Sequence, residues 1–435
     1  MIALAVALLG FHVVWKFVNS LNMTATAVTS FIGLLAYVQL VLAPWLFYTH
    51  FQGSEIANIY DLNMQVDPLS YFRYLIPAYI ALTLGMKYGS LTIKIPAMPY
   101  GLEDLKVVSK WFLGFGLIAT VLSAVATIPK EVEFVVILAR NLLRGSLITF
   151  HILYIQEKAV TQRFLGLVSP YSLILFFLLI KSASSSGMFG EMIFILFAMA
   201  VITFQYSKPS WKKHVVFSIT GLLFILGVQL TKSSYRDMVW RSGSEASISQ
   251  LYVSFAESVR DFGDIPNREG FWFNSLSRVN QGFLVSHVIS KCENENIVMQ
   301  GQKTLESIAA SVVPRVLWSN KPMAGGRDNI EQFTNKTLVG STSMNISYFG
   351  DFYIDFGLKG AVLALFVFGY FLAKSIGLIV RLATTRSAFF VGLPLILSGI
   401  VQVETDLLMI MNHFTKGFIF FSCLDWMMTR SHRVK

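Results

Sequence analysis

Two arginines in the apolar stretch FVVILARNLLRGSLITFHILYI, Arg140 and Arg144, stand four residues apart and so share one face of a helix, with His151 seven residues further along. An arginine inside a bilayer costs about 3 kcal/mol or more unless it faces a cavity or a partner. If the span enters the membrane near Phe134, Arg140 lies about 9 Å below the surface at 1.5 Å per residue. That depth suits the phosphate of a lipid-linked ligand. An ion pair with a carboxylate such as Glu191 or Glu404 satisfies the same residues.

Further chemistry-bearing residues crowd the second half of the chain. SRVNQG holds Arg278, Asn280 and Gln281, with His287 close behind, on an otherwise apolar helical pattern in which Arg278 and Gln281 share a face. PRVLWSNKP sets Arg315, Trp318 and Lys321 around a proline-bounded turn, where an aromatic face can stack on a sugar ring and a guanidinium can clamp a phosphate. YFGDFYIDFG places Asp351 and Asp355 four apart, able to orient or deprotonate a hydroxyl, or to cap a helix N-terminus. VQVETDLLMIMNHFTKG gathers Glu404, Asp406, His413 and Lys416, an acid, imidazole and ammonium mixture suited to proton transfer, or simply to marking an interface.

The elements that must carry these residues are membrane spans. Of 435 residues 54% are hydrophobic and 14% charged, and mean hydropathy is +0.59, more apolar surface than a soluble chain of this length can hide. Apolar windows of about 20 residues predict eleven spans, near 2–19, 25–48, 71–89, 109–129, 134–155, 164–184, 188–206, 214–230, 357–380, 388–409 and 412–428. The first is read as a retained span rather than a cleaved leader. Alternate connections are basic, which puts the N-terminus outside, the C-terminus in the cytoplasm and the interval 231–356 outside. The formal charge of +10 therefore reflects topology rather than nucleic-acid binding. Two cysteines, Cys292 and Cys423, suggest neither a disulfide nor a zinc site.

The chain thus reads as three stretches: eight spans in 1–230, a large outer loop in 231–356, and three spans with a cytoplasmic tail in 357–435. Segments 247–262 and 275–292 of the loop have apolar residues at helical spacing and are expected to lie as helices against the membrane. The section 321–343, rich in Gly, Asn and Thr, is expected to be a loop.

The span layout, SRVNQG, PRVLWSNKP and the YxxFGxxG-like run from Tyr353 to Gly360 together resemble the Wzy-type polymerases of bacterial O-antigen and capsular polysaccharide, chiefly over residues 275–360. The resemblance implies an all-α, polytopic, GT-C-like glycosyltransferase of the bacterial inner membrane. It implies undecaprenyl-diphosphate-linked glycans as substrates, with a chain-length regulator and a flippase as partners. No cofactor is expected, because a lipid diphosphate is already a good leaving group, and no metal, because arginines aimed at the diphosphate would replace one. Catalysis would fall to Arg278, Arg315, His287, Asp351, Asp355 and Glu404, and substrate contact to Arg140, Arg144, Asn280, Trp318, Lys321, Arg327 and Tyr353. An O-antigen ligase working through the loop histidine His287 shares this layout. A flippase for the same glycan is a further alternative, though so long an outer interval favours an enzyme over a transporter.

Overall fold

The structure, a computed structural model, describes residues 2–20, 24–90, 102–125, 130–158, 169–186, 190–207, 248–260, 269–314, 317–322, 326–338 and 344–433, with a few isolated residues between 210 and 235. All regular structure among them is helical. The helices are α1 (Ile2–Ser20), α2 (Thr24–Ala36), α3 (Ala43–His50), α4 (Glu55–Ile59), α5 (Pro68–Ser90), α6 (Leu102–Val125), α7 (Lys130–Lys158), α8 (Pro170–Ser186) and α9 (Gly190–Ser207). After these come α10 (Ile248–Arg260), α11 (Glu269–Val279), α12 (Gly282–Glu295), α13 (Gln302–Val312), α14 (Arg327–Thr334), α15 (Ser347–Thr385), α16 (Ser387–Ile400) and α17 (Leu407–Arg433).

Among the described residues, five helical stretches are long and apolar enough to cross a membrane: Ile2–Ser20, Ala25–His50, Leu105–Leu122, Ser347–Thr385 and Leu407–Met428. Pro170–Ser184 and Ser387–Ile400 are shorter apolar helices. The expected span 214–230 falls mostly outside the described residues. The expected span 388–409 is not continuous. Its helix stops at Ile400, and residues 401–406 form a turn before α17.

The chain divides into two compact units. One comprises Met1–Pro96, Gly270–Arg381 and Gly399–Arg430; the other comprises Ala97–Glu269, Leu382–Ser398 and Ser431–Lys435. The interval 231–356 is therefore not a body of its own, since most of it joins the N-terminal helices.

Within the first unit, α5 and α15 approach at glycines. A Cβ on Gly85 would run into the carbonyl oxygen of Phe366, one on Gly89 into that of Tyr370, and one on Gly369 into that of Leu82. Small residues four apart thus let two backbones meet. Between α2 and α3 the chain winds one π-helical turn, Tyr37–Leu42. The physical cause is Pro44, which has no N–H to return to the preceding turn. The carbonyls left over find other donors: the Leu40 oxygen accepts from the Tyr71 hydroxyl at 2.9 Å, and the Gln39 oxygen from the Gln281 amide at 3.1 Å.

The segments within 231–356 correct two expectations. Residues 275–292 are two helices, because the Asn280 side chain accepts from the Phe283 amide at 3.1 Å and starts α12 afresh. Arg278 and Gln281 therefore do not share one helix face. Inside the expected loop 321–343 lies α14. Gly326 (φ 71) opens it, Asp328 sits in its first turn, and Ile330 and Phe333 are buried.

Candidate functional site

The first unit brings three carboxylates to two helix starts, those of α13 and α17. Gly357 (φ 62) interrupts α15, so residues 347–356 form a short head, buried through Asp355, before the long apolar shaft. Asp351 and Asp355 lie one turn apart on that head. Asp355 is wholly occupied with capping α13: its oxygens accept from the amides of Lys303 at 3.1 Å and Thr304 at 2.7 Å, and from the Thr304 hydroxyl. Asp351 accepts from the Leu407 amide at 2.8 Å, at the start of α17, and Asp406 caps the same helix through the Met409 amide at 2.8 Å. The turn 401–406 is tied over the head of α15 by the Tyr348 amide to the Thr405 oxygen at 3.0 Å and by the Ser347 hydroxyl to the Val403 oxygen at 2.6 Å.

These caps leave two oxygens over. Asp351 and Asp406 are each 1% exposed, and among the described residues Asp351 Oδ1 and Asp406 Oδ2 have no hydrogen-bond partner. Asp351 Oδ1 lies 3.3 Å from Lys303 Nζ, close enough for an ion pair but not aligned as a hydrogen bond. Lys303, itself buried, also donates to Asn329 Oδ1 and sits 5.0 Å over the Phe333 ring. Burial first, and the neighbouring Asp351 charge second, push the Asp406 carboxyl up to about 6. The Asp351, Asp406 and Lys303 side chains line a cavity of about 70 Å³ with Glu306, Asp328 and Asn329. At the same junction, Thr304, Ile308, Phe352, Phe356, Leu407 and Met411 help to line an apolar groove of about 560 Å³ that continues along α15.

Helix α13 shows why Lys303 is buried. It turns Lys303, Ser307, Ala310 and Ser311 inward and Leu305 and Val312 outward, the last two 68% and 61% exposed. Its polar stripe faces protein and its apolar stripe faces out, the orientation of a helix resting on hydrocarbon.

The remaining candidates are distributed elsewhere. Glu404, half-buried, accepts from Gln39 Nε2 at 2.5 Å, beside the π-helical turn. Tyr353 is buried as a strut, donating to Glu293 at 3.0 Å and meeting the Tyr74 ring edge-on at 4.8 Å. Asn280 is spent on the α12 start. His287 is buried against Phe283 at 4.7 Å and bonded to the Thr334 backbone, and its Nε2 has no partner among the described residues. Desolvation, then the nearby Lys336 charge, pull its pKa down to about 4, so it is a neutral ring at pH 7. Arg278 is exposed, and Arg315 lies outside the described residues. Trp318 is half-buried, and Lys321 Nζ closes the turn after α13 on the Val313 oxygen at 2.8 Å. Arg327 points outward, 3.6 Å from Glu331 and 2.5 Å from the Leu338 oxygen.

In the second unit Arg140 is exposed on α7, while Arg144 bonds Asn141 at 3.0 Å and Ser182 at 3.1 Å. The Glu191 side chain lies outside the described residues. His151 is buried against Ser169 at 2.8 Å.

Among the sequence candidates, then, Asp351 and Asp406 converge on the cavity, and Asp355 underpins it. Lys303 and Asn329 complete it without having stood out by residue type. The one sequence signal was position: Lys303 shares a face with Ser307, Ala310 and Ser311 at spacings of four, seven and eight.

Apolar helices long enough to cross a membrane, with a buried polar cavity beside them, define the class: an all-helical protein whose helices are compatible with a membrane. More particularly, the chain belongs to the family described as a domain of unknown function, DUF8712, whose model matches residues 13–433. No curated protein and no solved structure matches it.

Proposed function

We propose that this protein is a membrane glycosyltransferase of the polysaccharide-polymerase kind, with the cavity at Asp351, Lys303 and Asp406 as its acceptor site. In this reading eleven spans in a GT-C-like arrangement lie in a bacterial inner membrane, with the cavity at the outer face. The substrates are undecaprenyl-diphosphate-linked repeat units, and a flippase and a chain-length regulator are partners.

The observation that carries the reading is the Asp406 oxygen that has no hydrogen-bond partner among the described residues, buried at the head of a membrane-length helix beside an apolar groove. A carboxylate held so is short of a donor, and an acceptor hydroxyl is one. Asp406 takes the hydroxyl proton as the sugar oxygen attacks the anomeric carbon of the growing chain. The bond from that carbon to the diphosphate breaks, its electron pair leaves with the lipid diphosphate, and the anomeric centre inverts. Asp351, fixed by Leu407 and Lys303, keeps Asp406 oriented and raises its basicity. Arg278 and Arg315 are the cations proposed to meet the departing diphosphate, an electrostatic stabilisation of roughly 3 to 4 kcal/mol for each well-placed donor. The groove suits the hydrocarbon chain of such a lipid.

The test is reconstitution of the full-length protein in proteoliposomes with a lipid-linked repeat unit. Lengthened glycan on the lipid supports the reading. No lengthening with any repeat unit from the source strain overturns it.

A further inference from the structure

We infer that the cavity sorts its ligand by charge, taking a sugar edge that presents hydroxyl or ammonium donors and rejecting one that presents a carboxylate. The inference rests on the reading of this cavity as an acceptor-sugar site and names the class of sugar it admits.

Charge and its placement carry the argument. Four carboxylates line the cavity, those of Glu306, Asp328, Asp351 and Asp406, against one ammonium, that of Lys303. The ammonium is already engaged by Asp351, by Asn329 and by the face of Phe333. The cavity therefore has no free cation on its described wall for an incoming anion. Asp406 Oδ2, on a side chain 1% exposed, has no partner among the described residues and accepts only from a donor. A hydroxyl or an ammonium satisfies it, whereas a carboxylate would stand unpaired beside like charges in a poorly hydrated place. Asp328 is exposed and Glu306 half-buried, so both stand nearer solvent than the buried pair and impose the same preference on approach. Size agrees with charge. A cavity of about 70 Å³ admits a few water-sized groups, the edge of one sugar ring rather than a sugar diphosphate. The anionic half of a lipid-linked substrate must then lie elsewhere, and the discrimination falls on the terminal sugar of the acceptor.

The experiment is saturation-transfer NMR on the full-length protein in neutral detergent, with free sugars as probes: the amino sugar, the neutral sugar and the uronic acid, each in gluco and galacto configuration. Binding should follow the order amino, neutral, uronic within each configuration, each step about tenfold, the size expected for one nearby screened charge. The double variant Asp328→Asn, Glu306→Gln changes residues near the cavity mouth and should narrow each step to about threefold. Equal binding, a preference for the uronic acid, an order untouched by the double variant, or no sugar bound at all would each overturn the inference. A parallel elongation assay separates the two claims: the expected order without any elongation sinks the polymerase reading and leaves the charge sorting standing.

Discussion

Asp351 holds the amide that directly follows Asp406: its Oδ2 accepts from the Leu407 N–H at 2.8 Å. Residues 55 positions apart in the chain are thereby locked at the head of α17, with the Asp406 carboxylate turned into the cavity. One carboxylate fixes the other without competing for its free oxygen.

That arrangement makes the two aspartates separable. Asp406→Asn should abolish chain elongation while leaving the fold intact, because Asn caps a helix about as well as Asp. The sign of the stability effect follows from the raised pKa. An acid held at about 6 in the folded state and near 3.8 unfolded penalises folding fully above pH 6, and the penalty fades as pH falls toward 3.8. The variant should therefore melt no lower than wild type at pH 7.5, and wild-type elongation should fall by half near pH 6. A pH-independent elongation rate between 5 and 8 would remove Asp406 as the base.

Lys303 holds Asp351 in balance, and removing it leaves a buried carboxylate unpaired. Lys303→Met is expected to destabilise the protein by about 3 kcal/mol or more. Adding Asp351→Asn to that variant should recover most of the loss, read as a rise in melting temperature in detergent. If the double variant melts as low as the single one, the ion pair is not what Lys303 contributes.

His287 should make stability fall with acid. Its pKa is depressed from 6.5 to about 4, so its contribution is whole above pH 6.5 and is lost as pH drops toward 4, roughly 3 kcal/mol in total. Replacing it with Phe should flatten that part of the curve. Thermal melts of both proteins at pH 7.5, 6 and 4.5 measure the difference, and parallel curves would contradict it.

Gly85 and Gly114 are both helical glycines, but they meet different surroundings. Gly85→Val would press a side chain into the backbone of α15 at Phe366 and Tyr370, with a loss of about 2 kcal/mol or a failure to fold. A Cβ at Gly114 meets nothing within 4 Å, so Gly114→Ala should be neutral or stabilising by up to about 1 kcal/mol. Yields and melting temperatures of the two variants should diverge accordingly.

The sequence by itself determined what local chemistry can determine. Runs of apolar residues with no water-compatible alternative dictate membrane-length helices, and four-residue spacing put Asp351 and Asp355 on one face before any contact was known. Pro44, by lacking an N–H, and Gly357, by tolerating positive φ, permit the helices to depart from regularity there, but Pro77 and Pro394 sit inside unbroken helices, so the sequence alone does not say which breaker acts. Residues 302–312 carry polar and apolar residues at helical spacing, but such a pattern leaves two sides to choose between. Only the tertiary structure decided that its polar side, with Lys303, faces the cavity and its apolar side faces out, because that choice depends on what lies beyond the helix. The same holds for the aspartates. Asp355 and Asp351 are equivalent in sequence, yet one spends both oxygens on the start of α13 while the other is left with one oxygen beside Lys303 and Asp406, a difference set by which helix ends the fold brings to each.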